Sequence, residues 1–228
     1  MPSTDYSSNS GSKTVRIILV DDHPLMREGL AEVLRREPDI HVCGEAEDRA
    51  QALVVIKATK PDLVIVDLAL KNSHGLELIK DIVVLYPKLR ILVVSMHDEF
   101  VNAERVLRAG ASGYITKQEA TTKILEAVRR VLSGEIYLSE RAAAQIAAKV
   151  AGRSRTGSGL TVDGLTDREL QVFELIGRGH STRQIADQLK LDVSTIETYR
   201  ARIKEKLNLH DYLELLQCAI RWNSSFKV

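Results

Sequence analysis

The sequence predicts two domains in tandem, a doubly wound α/β domain followed by a small all-α domain. Three observations carry that expectation. Up to about residue 133, short apolar β-branched runs alternate with amphipathic stretches long enough to be crossover helices. After Ser139 the strand signal stops. Between the helical remainder and what precedes it lies "GRSRTGSG" (152–159), a flexible linker by composition.

The strand candidates are residues 16–20, 41–43, 62–66, 90–94 and 112–115. "RIILV", "DLVIV" and "RILVV" are apolar on both faces, as a parallel strand must be when helices cover both sides of its sheet. The helix candidates are 25–36, 49–59, 76–85, 101–108 and 121–132, each with Leu, Ile, Val or Ala at three- and four-residue spacings. Five such units describe a flavodoxin-like doubly wound (βα)5 domain. Right-handed crossovers then place functional residues at the carboxyl ends of its strands. Residues 139–150, "SERAAAQIAAKV", read as an Ala-rich helix capped by Ser139. "TDRE" from Thr166 and "STRQ" from Ser181 are capping boxes, and Asp192 suits the N-cap of a helix ending near Leu207. A last helix spans 211–222, completing a small tetrahelical helix-turn-helix domain. The expected boundaries are 1–14 for a disordered tail, 15–134 for the α/β domain, 135–160 for a linker helix and flexible linker, and 161–226 for the all-α domain.

Composition narrows the class. Aromatic residues are only 4% of 228, so Leu, Ile, Val and Ala must build both cores. The net charge of +1 argues neither for nor against a nucleic-acid partner. Cys43 and Cys218 read as buried free thiols, and the histidines show no metal-ligand spacing. No apolar run approaches the roughly 20 residues that span a bilayer. The polar N-terminus lacks the apolar segment of a signal peptide. These features predict a cytoplasmic protein with no membrane partner.

Asp21 and Asp22 follow the first strand, Asp67 the third; Ser95 ends the fourth and Lys117 follows the fifth. Strands one and three are neighbours in the flavodoxin-like order, so the carboxylates converge. Clustered carboxylates repel and call for a hard cation; Mg²⁺ commonly works beside phosphate oxygens and would let a carboxylate act as a nucleophile toward phosphorus. Lys117 and Ser95 suit phosphate oxygens as a positive charge and a hydrogen-bond donor. A lone Asp after a strand is ordinarily turn chemistry; five such residues at one sheet end are not.

"ILVDDHPLMREGL", "DLVIVDL", "ILVVS" and "AGASGYITK" resemble the signature segments of two-component receiver domains over residues 15–132. The resemblance implies that Asp67 is the phosphoacceptor and that Asp21, Asp22, Asp67 and the backbone carbonyl of Ala69 hold Mg²⁺. It further implies that Ser95 and Lys117 contact the phosphoryl group and that Tyr114 is the aromatic switch residue. One departure stands out: Leu70 and Lys71 occupy the place of the family's usual Met-Pro pair, with Gly75 retained.

In "IADQLKLDVSTIETYRARIKEKL", Ile185 and Leu189 form one apolar face and Val193, Ile196, Ile203 and Leu207 another. The second helix then exposes Ser194, Thr195, Glu197, Thr198, Arg202 and Lys206, a set suited to base edges and phosphates. Together with "LTDRELQVFELIGRGHSTRQIADQL", the pattern is similar to the output domain of LuxR-type regulators, in the response-regulator group called the NarL/FixJ family. That resemblance makes 192–207 the recognition helix. Thr195, Glu197, Thr198 and Ala201 fall at base-facing places, and Arg202 and Lys206 on phosphates, with Thr182 and Arg183 also at the DNA. The last helix corresponds to the one through which such domains dimerise.

The expectation is a phosphorylation-controlled, sequence-specific DNA-binding regulator, partnered by a histidine kinase, promoter DNA and, on activation, a second copy. It is not an enzyme. One alternative keeps DNA binding and reduces the first domain to a dimerisation module. Another, an Asp-nucleophile phosphohydrolase, lacks its D-x-D motif here, since Asp21 and Asp22 are adjacent.

Overall fold

The structure is a computed structural model and describes residues 14–70, 73–96, 99–151 and 162–224. The predicted tail, the 152–159 linker and Lys71 lie outside the described residues. Five parallel strands, β1 (Val15–Val20), β2 (Ile40–Ala46), β3 (Leu63–Val66), β6 (Arg90–Ser95) and β7 (Gly113–Thr116), form a sheet in the order β2-β1-β3-β6-β7. A two-residue hairpin, β4 (Ala69–Leu70) with β5 (Ser73–His74), follows β3 and was not predicted.

The sheet is covered on both faces, as the apolar runs require. Ile18, Val20, Val64, Val66, Ile91 and Val93 pack against α2 (Arg49–Thr59), α3 (Gly75–Leu85) and α4 (Glu99–Arg108). Alternate residues Ile17, Leu19, Leu63, Ile65, Leu92 and Val94 pack against α1 (Pro24–Arg35) and α5 (Lys117–Leu132). Helix α5 starts at Lys117 rather than 121, because the Thr116 side chain caps it by accepting from the Glu119 amide. Beyond α5 the chain returns to the sheet. Tyr137 donates its amide to Ser112 and accepts from Tyr114 N–H, so it covers the outer edge of β7. Helix α6 (Glu140–Val150) then packs on α4, its Ser139 cap accepting from Ala142 N–H as expected.

The second core is helical: α7 (Asp167–Gly177), α8 (Thr182–Leu189), α9 (Val193–Leu207) and α10 (Tyr212–Ser224). Both predicted capping boxes form, Thr166 with Glu169 and Ser181 with Gln184. Two expectations need correction. Asp192 holds the N-cap position of α9 but makes no side-chain cap bond. Val193 is half-exposed and leaves the core, because Leu191 and Ile196 fill that side. In α10 the buried residues are Leu215, Cys218 and Ala219, and Ile220 is half-exposed. Cys218 is a buried free thiol and Cys43 a half-buried one.

The Glu169 carboxylate accepts from Thr166 N–H at 2.7 Å and from Lys206 Nζ at 2.6 Å, and it is almost fully buried. Burial alone would raise its pKa, but the Lys206 and Thr166 bonds hold it below the ordinary glutamate value. Glu169→Ala is therefore expected to cost the helical domain about 1–3 kcal/mol in urea unfolding, through the lost cap bonds and the unpaired Lys206.

Candidate phosphoryl-acceptor pocket and nucleic-acid interface

The carboxyl ends of β1 and β3 lie side by side, which brings Asp21, Asp22 and Asp67 together. Asp21 and Asp67 are buried, and Asp22 is partly so. Lys117, the first residue after β7, reaches across the strand ends. Its Nζ lies 2.7 Å from Asp21 Oδ2 and 2.7 Å from Asp67 Oδ2. Ser95, the last residue of β6, is fully buried and hydrogen-bonds the side chain of Tyr114.

Burial pushes the Asp67 pKa up and the Asp21 charge adds to it, while Lys117 opposes both; the net direction is upward. For Lys117, burial disfavours the ammonium, yet the two carboxylates win and raise its pKa. The Tyr114 hydroxyl is driven well above its usual pKa by complete burial, so it stays a neutral hydrogen-bonding group.

The donor set suits a hard divalent cation. Ligand atoms of Asp21, Asp22, His23 and Asp67 all lie within 4.8 Å of one another. Asp67 Oδ1 is buried and has no hydrogen-bond partner, an orphaned anionic oxygen that a cation would satisfy. Asp22 Oδ1 is likewise without a hydrogen bond, although His23 Nδ1 stands 2.8 Å away. Sequence reasoning missed His23, whose only signal was adjacency to the Asp pair. Ala69 lies on the hairpin that follows β3, and its backbone favours the ionised Asp67 carboxylate.

Gly75 opens α3 directly beneath this loop. Its amide donates to Leu68 O at 2.8 Å, and a Cβ there would stand 2.1 Å from the Asp67 carbonyl oxygen. The retained glycine lets the helix approach the backbone of Asp67 this closely.

On α9, Ser194, Glu197, Thr198, Ala201 and Arg202 are exposed and Thr195 half-buried; Arg183 on α8 is exposed beside half-buried Thr182. Several of the expected DNA-facing groups already have partners within the domain. Glu197 accepts from Thr182 Oγ1 at 3.2 Å and from Arg200, whose guanidinium stacks 4.1 Å from the Tyr212 ring. Lys206 is paired with Glu169. Thr198 Oγ1 donates back to Ser194 O. Arg202 remains outward and exposed.

The two domains touch. Arg105 of α4 donates to Leu165 O at 2.7 Å, to Val162 O at 3.3 Å and to Asp167 Oδ1 at 3.1 Å. Lys80 of α3 stands 3.4 Å from Asp167 Oδ2. Lys190, in the turn between α8 and α9, lies 3.7 Å from Asp22 Oδ2. Sequence reasoning missed Arg105 and Lys190, since pairing between domains leaves no periodicity in either.

Residues 17–129 match the profile of the response regulator receiver domain, and residues 163–219 match that of the bacterial regulatory proteins of the luxR family. The transcriptional activator protein ExaE of Pseudomonas putida is 37% identical over 204 residues, spanning 90% of this chain and 95% of its own. The DNA-binding transcriptional activator DevR/DosR of Mycobacterium tuberculosis is 34% identical over 195 residues, 86% of this chain and 89% of its own. Among solved structures, RcsB from Salmonella enterica serovar Typhimurium, bound to promoter P1flhDC in the presence of a phosphomimetic, superposes with a TM-score of 0.61. It is 25% identical and covers 90% of this chain and 98% of its own. Two matched domains in this order, and relatives that align over nearly the full length, make this chain a response regulator of the NarL/FixJ family, with a receiver domain and a LuxR-type DNA-binding domain.

Proposed function

We propose that the chain is a phosphorylation-controlled transcriptional regulator in which Asp67 accepts a phosphoryl group from a histidine kinase and α9 reads promoter DNA. The observation that carries this reading is the Asp67 carboxylate itself. One oxygen is held by Lys117, and the other is buried and unbonded, beside two further carboxylates. An oxygen of this carboxylate is the nucleophile. It forms the new P–O bond as the P–N bond of a phosphohistidine breaks and its electron pair returns to the imidazole. Lys117 balances charge on the phosphoryl oxygens, and Ser95 leaves Tyr114 to donate to one of them.

Asp21, Asp22 and Asp67, with the Ala69 carbonyl, would hold Mg²⁺, which when bound neutralises charge on the phosphoryl oxygens. Tyr114, released from Ser95, repacks the face around α4 and β7, and the domains separate because the phosphorylated pocket favours that arrangement. A second copy is the natural partner for Leu213 and Ile220, exposed apolar residues two turns apart on α10. The relatives' printed descriptions, a transcriptional activator and a regulator on promoter DNA, support the output side of this reading. A cytoplasmic location accords with this role, and among the described residues no helix is long and apolar enough to cross a membrane.

DNase footprinting with and without acetyl phosphate, on wild type and Asp67→Asn, tests the proposal. Stimulation in the wild type alone is expected; equal stimulation in both sinks it. At the DNA, Arg202→Ala is expected to weaken binding on every sequence alike and to lower the salt slope by about 1, as loss of one phosphate contact does. A fluorescence-anisotropy salt titration reads both.

A further inference from the structure

Lys190 belongs to the DNA-binding domain, yet its ammonium sits at the mouth of the receiver's carboxylate pocket, 3.7 Å from Asp22 Oδ2. It holds that place because it caps α8 in the left-handed conformation, at φ 53°, which turns the chain toward the receiver before α9 begins. The other anchor is Arg105, whose three bonds fix the N-terminus of α7 on α4. Exposed recognition residues on α9 are open to water in this docked arrangement.

We infer that Lys190 competes with the divalent cation for Asp22, so that metal loading of the pocket and docking of the DNA-binding domain oppose each other before any phosphoryl group arrives. This rests on the reading of Asp21, Asp22 and Asp67 as cation ligands. Asp67 Oδ1 is buried and unbonded, so the pocket has unmet demand for positive charge. Asp22 meets part of its own demand with Lys190. A divalent ion held by the Asp22 carboxylate would share it with that ammonium, and like charges on one carboxylate repel even through water. Because binding linkage is reciprocal, whatever weakens docking tightens metal binding by the same factor.

The test is calorimetric titration of Mg²⁺ into the full chain without phosphodonor, for wild type, Lys190→Asn, Lys190→Arg, Arg105→Ala and the Lys190→Asn/Arg105→Ala double variant. Asn tolerates the left-handed backbone, so the first variant removes charge without straining the turn. Lys190→Asn and Arg105→Ala are each expected to tighten Mg²⁺ binding about threefold to tenfold. Lys190→Arg should stay within about twofold of wild type, and the double variant should bind no tighter than the tighter single one, since both act through one docked state. A Lys190→Asn affinity equal to wild type overturns the inference, and so does full additivity in the double variant. Absence of Mg²⁺ binding in all five proteins overturns this inference and the cation reading of the pocket together.

Discussion

Asp67→Asn is expected to leave acetyl phosphate labelling at background, to remove phosphate-stimulated DNA binding and to make the protein more stable. The first two effects follow from chemistry: an amide oxygen is a poor nucleophile toward phosphorus, and among the described residues no other carboxylate combines deep burial, an unbonded oxygen and the Lys117 contact. The third follows from the raised pKa of Asp67. The folded protein prefers its protonated form, so ionised Asp67 opposes folding once the pH exceeds its unfolded pKa. A neutral side chain removes that opposition at pH 7, and Lys117 keeps Asp21 as its partner. Thermal unfolding beside the labelling assay separates the possibilities. A lower melting temperature in the variant would overturn the stability part of the prediction.

Gly75→Ala is expected to destabilise the receiver by about 3 kcal/mol and to slow Asp67 labelling. The added Cβ would meet the Asp67 carbonyl oxygen at 2.1 Å and the Leu68 Cα at 2.8 Å. Both are backbone atoms, so relief requires moving the loop that aims the Asp67 carboxylate. Gly29→Ala is the matched control. It lies in α1 with open space around its Cβ position, and alanine there is expected to be neutral or stabilising. Urea unfolding of the two variants reads the contrast. If both behave alike, the close approach beneath Asp67 is not what Gly75 is for.

Much of the fold was legible because burial on both faces leaves an apolar signature that a partly exposed strand lacks. β3 and β6 illustrate it: every residue of β3 is buried, and its neighbour departs from that only at Arg90. β2 was read too short because Gly44 and Glu45 interrupt its apolar run while their backbones still pair with β1. The β4–β5 hairpin and the Tyr137 strap are set by backbone pairing, which no side-chain periodicity announces. In the pocket, Asp21, Asp22, Asp67 and Lys117 were readable because topology brings strand ends together. Lys206 was read as a phosphate contact from charge and spacing, yet within the domain it answers the buried Glu169. Charge patterns report what a helix carries, and only packing decides which charges are already spent.

Tyr137 has a consequence for the chain's life at high concentration. An open parallel sheet has two outer strands, and each is a template on which another polypeptide can crystallise as an added strand. On one border, β2 is irregular, its pairing with β1 slipping between Ile17 and Ile18. On the other, Tyr137 occupies the hydrogen bonds of Ser112 and Tyr114 that a stranger would need. A crowded population of these molecules thus finds those edge bonds already taken at that border.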